Sequence, residues 1–151
     1  MYCRLNKFFP VTGVYFIRVS RIGKKFTGSD IKIVNSEQML EFMETGKVLL
    51  IDARKTSDFE HSTIPGSTHC RIISGKPSFD EEQVLLSIKD FKSCKNITNT
   101  DRSTSIAVFC NGKNCWRSGK GALALKRMGF DKVYWYRIGM NDWKNQGLPM
   151  E

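Results

Sequence analysis

Ile106-Ala107-Val108-Phe109-Cys110-Asn111-Gly112-Lys113-Asn114-Cys115-Trp116-Arg117-Ser118 passes from four apolar residues into a cysteine, through a polar loop with a glycine, and into a helix. An unbroken apolar run reads as a strand buried on both faces, the pattern of a central parallel strand. The helix is expected from about Ser118 to Met128, with Ala122, Leu123 and Leu125 on its apolar face and Gly129 ending it.

The same logic extends outward. Val48-Leu49-Leu50-Ile51, within Lys47 to Ala53, is a second buried strand. Ile31–Val34, Thr68–Ile72 and the aromatic-rich Lys132–Tyr136 read as shorter ones. Asn35 and Ser36 can cap a helix from Glu37 to Glu44 that Gly46 closes. Arg54–Phe59 is polar with room for one helical turn, and Ile64-Pro65-Gly66 signals a turn. Ser78 with Glu81 fits a capping box opening a helix to about Lys89, with Val84, Leu85 and Ile88 apolar. Ser93–Ser105 is expected to be loop, and Asn141–Gln146 a last short helix. Strands alternating with helices predict an α/β fold: a parallel sheet with helices on both faces.

A length of 151 residues and a hydrophobic content of 40% suit one domain with a real core. The net charge is +9. Six of the 24 Lys and Arg residues, Arg4, Lys7, Arg18, Arg21, Lys24 and Lys25, precede Asp30 with no acid among them. Residues 1–29 therefore read as a basic arm, and residues 30–151 as the domain. No nucleic-acid motif accompanies the arm, so nucleic acid is not expected as a partner. No run approaches the ~20 apolar residues that cross a bilayer. Phe8–Ile17 loosely resembles an export signal, but Pro10 and Gly13 interrupt it and Arg18 and Arg21 stand where a cleavage site belongs. A cytoplasmic location is expected, with export to the periplasm left open.

The chemistry is expected at cysteine. There are five: Cys3, Cys70, Cys94, Cys110 and Cys115. The odd count and irregular spacing argue against a disulfide framework. No second Cys or His pair has zinc-ligand spacing, and no cofactor is implied. Open α/β sheets bind ligands beyond the carboxyl ends of their strands. A cysteine there, ahead of a helix, meets unpaired amides and the positive end of the helix dipole, which favour thiolate. Lys113, Arg117 and Lys120 add positive charge. The competing reading is a strand-end thiol that only packs. Two thiols in one loop also invite exchange. Trp135 and Trp143 read as core, and His61 and His69 as surface or satisfied residues.

At this point the chain resembles the rhodanese homology domain, over residues 31 to 151. Val48-Leu49-Leu50-Ile51-Asp52-Ala53-Arg54 is similar to that family's strand ending in Asp-x-Arg, and Phe59 through Ile64-Pro65-Gly66-Ser67 to its Ile-Pro-Gly-Ala turn. Phe109-Cys110 with Arg117-Ser118 resembles its active-site loop. Gly129-Phe130, Val133-Tyr134, Gly139-Met140, Trp143 and Gly147-Leu148-Pro149 resemble its C-terminal signature. Cys115-Trp116 is similar to a bacterial branch with a second loop cysteine followed by Trp. The resemblance implies a three-layer α/β/α fold around a mostly parallel five-stranded sheet. It also implies sulfurtransfer through a cysteine persulfide, on Cys110 by its match to the family position at the strand end, with Cys115, closer to Arg117 and the helix start, as the alternative carrier. The donor would be a small anion such as thiosulfate, and the acceptor a thiol, a protein thiol included, or cyanide. Asn111, Gly112, Lys113, Asn114, Trp116, Arg117 and Ser118 would form the anion-binding loop, Cys115 a second thiol, and Asp52 and Arg54 its support.

Three departures bear on substrate. The family's loop has four residues between Cys and Arg, whereas six separate Cys110 from Arg117. Thr63 stands where a His is usual, and Ile138-Gly139 replaces a Gly pair. Rival readings are a non-catalytic docking module, a phosphate-ester or arsenate site, and a dithiol redox protein using Cys110 and Cys115.

Overall fold

Where apolar residues run without a break, the chain pairs into a sheet. The computed structural model describes residues 30–151. Its strands are β1 (Lys32–Ile33), β2 (Leu49–Asp52), β3 (Thr68–His69), β4 (Ile106–Phe109) and β5 (Val133–Tyr136). They form one five-stranded sheet in the order β1-β5-β4-β2-β3, and every pair is parallel. β4, the strand quoted first above, lies at its centre with all four residues buried. The expected basic arm, residues 1–29, lies outside the described residues.

Six helices lie among the described residues: α1 (Ser36–Thr45), α2 (Thr56–His61), α3 (Glu81–Lys92), α4 (Lys95–Thr98), α5 (Trp116–Arg127) and α6 (Gly139–Asn145). The two-residue repeat of the strands divides the core in two. Ile51, Ile106, Val108, Val133 and Trp135 pack with Val84 and Phe91 of α3 and Leu125 of α5. Leu50, Ala107, Phe109 and Tyr136 pack with Met39 of α1 and Met140 and Trp143 of α6. Helices therefore cover both faces, and the architecture is three-layer α/β/α.

Local signals explain the boundaries. Asn35 caps α1 by accepting from the Gln38 N–H, and the Gln38 side chain returns to the Asn35 N–H, a complete capping box. Gly46 ends α1 in the left-handed region with φ 63°. The expected cap at Ser78 is corrected: α3 starts at Glu81, and the Asp80 carboxylate accepts from the Gln83 N–H. Ser78 instead donates to Asp80. The expected loop over Ser93–Ser105 contains α4, one turn carrying the buried Ile97.

The expectation against disulfides is also corrected. Cys70 is bonded to Cys94, with Cα atoms 5.8 Å apart, and Cys110 to Cys115, with Cα atoms 6.3 Å apart. Both separations are normal for a disulfide. The odd count misled because it requires only one cysteine outside any such bond and does not stop the other four from pairing.

Behind the sheet's carboxyl edge, Tyr136 donates to Ser36 at 3.2 Å, Ser36 donates to Asp142, and Gln146 donates to Asp142 at 2.6 Å. The network joins β5, α1 and α6. Burial pushes the Tyr136 hydroxyl up to about 12, so it remains a neutral donor. No described helix is long and apolar enough to cross a membrane.

Candidate active site

β4 ends at Phe109, and Cys110 is the first residue past the sheet at its carboxyl edge. Cys110 is 1% exposed, while Cys115, bonded to it, is half-buried. α5 begins at Trp116 with Cys115 as its N-cap residue. The loop is thus the four residues Asn111–Asn114, and Arg117 lies inside the helix. The apparent lengthening of the loop disappears, because the residue four positions beyond the loop's start is Cys115 and not an arginine.

The loop is held from two directions. The Cys115 N–H donates to Gly112 O at 2.8 Å and closes the loop on itself. Met140 N–H donates to Cys110 O at 2.9 Å, and Asn141 N–H to Asn111 O at 2.8 Å, which docks the start of α6 on the loop. Gly139 permits this approach. It sits at φ +64°, and a Cβ there would meet Cys110 O and lie 2.9 Å from the main chain of Asn111 and Gly112. The left-handed conformation alone costs a non-glycine residue about 1–2 kcal/mol, and the main-chain overlap adds to it. Gly139→Ala is expected to lose more than that in urea denaturation.

A cavity of about 480 Å³ opens beside the disulfide. Residues 111–115 form one wall, and Ile138, Asn141, Asp142 and Asn145 the other. The amide-rich second wall comes from α6, which sequence reasoning treated only as a closing helix. Docking of Gly139-Met140 on the loop brings it there, and no local pattern carries that contact.

The predicted loop residues separate into two groups. Asn111, Gly112, Lys113, Asn114 and Cys115 line the cavity. Trp116, Arg117 and Ser118 belong to the first turn of α5 and serve its packing. Arg117 Nε donates to Ile72 O at 3.2 Å, and its guanidinium lies 4.7 Å from the Trp116 ring centre. The Lys120 ammonium lies 4.0 Å from that centre on the Trp116 ring and donates to Lys76 O at 2.9 Å. Burial lowers the Lys120 pKa against the opposing pull of Asp90 and Asp80. Ser118 accepts from the Trp135 indole at 3.0 Å.

A cation that sequence reasoning missed stands elsewhere. Phe109 pairs with Tyr136, and the residues directly after them are Cys110 and Arg137. The Arg137 guanidinium lies 5.7 Å from the Trp135 ring centre, and its Nε is buried with no hydrogen-bond partner. The reasoning that singled out Cys110, a polar residue directly after a buried strand, applies to Arg137 equally.

The support expected from Asp52 and Arg54 is a closed unit. Arg54 Nη2 lies 2.7 Å from Asp52 Oδ2, with the two side chains 2% and 0% exposed. Arg54 Nη2 also donates to Ser62 O at 2.6 Å, and Thr63 Oγ1 donates to Asp52 Oδ2 at 2.8 Å. Thr63 thus supplies a donor at the position where His is usual. Ala53 N–H donates to Phe109 O at 3.0 Å, which ties this unit to the strand that carries Cys110. His69 is satisfied, with Nε2 3.0 Å from Arg54 O and its ring stacked on Phe59.

A family model described as rhodanese-like domain matches residues 35–146. Among solved structures, a Rhodopseudomonas palustris protein of unknown function, described as a possible tyrosine phosphatase, is 22% identical with TM-score 0.61, covering 95% of this chain and 99% of its own. A rhodanese-related protein from Thermoplasma volcanium is 17% identical with TM-score 0.57, covering 80% and 97%. The rhodanese-like domain of an Anabaena protein is 18% identical with TM-score 0.56, covering 78% and 76%. These likenesses establish the fold. No curated protein matches the chain.

Proposed function

The chain belongs to the rhodanese-like domain family, and from that premise we propose that it moves sulfane sulfur through a persulfide on Cys110. The observation that carries this reading is the position of Cys110. It follows the central strand at the sheet's carboxyl edge and is bonded to Cys115, which lines the cavity, while Arg137 follows the neighbouring strand at the same edge.

In the reduced protein the Cys110 thiolate attacks the outer sulfur of a donor such as thiosulfate. A sulfur–sulfur bond forms to Cys110, the donor's own sulfur–sulfur bond breaks, and sulfite leaves with the electron pair. A thiol or cyanide then removes the outer sulfur. This is nucleophilic catalysis with no dedicated base, so electrostatics must hold the thiolate. Lys113 is a cation on the cavity wall, Arg137 follows the neighbouring strand β5, and the helix dipole of α5 points its positive end at the loop.

The test is mass spectrometry of the reduced chain, freed of reductant and given thiosulfate. A gain of one sulfur on the Cys110 peptide is expected; an unchanged mass with both thiosulfate and inorganic polysulfide overturns the reading. Arg137→Gln should raise KM for thiosulfate about tenfold, since a charge-assisted contact contributes about 1.5–3 kcal/mol, while kcat changes little.

The Cys110–Cys115 bond favours a second reading, a dithiol oxidoreductase. Under it the reduced chain would reduce a disulfide substrate and gain no sulfur. The phosphate-ester reading lacks comparable support, because the loop arginine it needs, Arg117, is engaged by Ile72 O and Trp116.

A further inference from the structure

The two bonded cysteines differ in access. Cys110 is sealed at 1% exposure, while Cys115 is half-buried and lines the cavity. A bulky acceptor therefore meets Cys115 first. Cys115 is also the N-cap residue of a twelve-residue helix, and no hydrogen bond from its side chain caps that helix. A thiolate at that position is favoured by the helix dipole. The bonded pair demonstrates that the loop brings these two sulfurs into bonding contact with Cα atoms 6.3 Å apart.

We propose that Cys115 discharges the persulfide on Cys110 from within the loop, releasing hydrogen sulfide and leaving the Cys110–Cys115 disulfide. The inference rests on the sulfur-carrier reading above and names the acceptor it would use. The Cys115 thiolate attacks the inner sulfur of Cys110–S–SH. The Cys110–Cys115 bond forms, the bond between the two persulfide sulfurs breaks, and HS⁻ leaves with its electron pair. The thiolate is oxidised and the outer sulfur reduced, so no external oxidant enters. An external dithiol then attacks the accessible Cys115 sulfur, is itself oxidised to a disulfide, and returns both loop thiols.

Two features set the direction. A thiol tethered by four loop residues acts at an effective concentration in the millimolar range or above, so it outcompetes dilute external thiols. And the resulting bond covers Cys110, so a new donor is taken up only after the dithiol step. On this scheme the protein turns sulfane sulfur into sulfide at the cost of a dithiol, and cyanide is a poor acceptor.

The experiment loads the reduced full chain with thiosulfate, or with inorganic polysulfide as a second donor. It follows the bound sulfur, the released sulfide and the linkage in the 110–115 peptide. Wild type should lose its persulfide at least about tenfold faster than Cys115→Ser or Cys115→Ala, releasing one sulfide per persulfide lost and linking Cys110 to Cys115. Equal persulfide lifetimes in all three proteins, with no sulfide released, would overturn the inference and leave the carrier reading standing. Failure of all three to take up sulfur from either donor removes the carrier reading, and the inference with it. Uptake by wild type and by neither Cys115 variant would make Cys115 the carrier, which also overturns the scheme.

Discussion

Cys110→Ser is expected to lose sulfur uptake by at least about a thousandfold, because removing a covalent nucleophile removes the intermediate itself. The serine hydroxyl is nearly isosteric, so the buried site keeps its packing and thermal unfolding of the reduced proteins should differ by no more than a few degrees. That contrast matters. Loss of uptake with an intact fold assigns the chemistry to Cys110. In Cys115→Ser the first uptake of sulfur should survive, because the attacking sulfur is untouched. The measurement is sulfite released per chain in a single turnover. Undiminished sulfite release from Cys110→Ser sinks the assignment.

Arg54→Met should cost the largest amount of stability. It leaves the Asp52 carboxylate buried without its cation, a change that typically costs about 3–5 kcal/mol. It also leaves Ser62 O without its donor at 2.6 Å. In a domain of this size the midpoint of thermal unfolding should fall by roughly 10 °C or more. The double variant Asp52→Leu with Arg54→Met should recover much of the loss, since apolar replacement of a buried pair is often close to neutral. Failure of the single variant to destabilise would mean that water or another group replaces the arginine. Because Asp52 lies beside Phe109 in the sheet, both variants should also disturb Cys110 reactivity.

Much of the fold was legible because its signals are local. The uninterrupted runs at Leu49–Asp52 and Ile106–Phe109 became the two central parallel strands, and Asn35 and Gly46 bounded α1 as their chemistry requires. Cys110 was legible for the same reason, as the polar residue at the end of a buried run. What escaped depends on tertiary contact. The cavity wall from Asn141, Asp142 and Asn145 exists because Gly139 lets α6 approach the loop. Arg117 and Lys120 looked like cations for the site by their nearness in sequence. A helix turns about 100° per residue, and α5 carries them toward Ile72 and Lys76 instead. The Asp80 cap displaced Ser78 because two capping residues lay within three positions, and spacing alone does not rank them.

The Cys70–Cys94 bond spans a sequence separation of 24 and encloses α3. A closure of that span restricts the unfolded chain by about 3 kcal/mol in the loop-entropy treatment. It also makes α3 a captive segment in the topological sense. A protease that nicks the backbone anywhere between the two half-cystines leaves two fragments that migrate together on a non-reducing gel. They part only when reductant is added. The same reagent that opens the loop over Cys110 therefore also removes the covalent tie around α3, which Val84 and Phe91 still hold in the core, and a reducing milieu gives a protein at once more reactive and more easily taken apart.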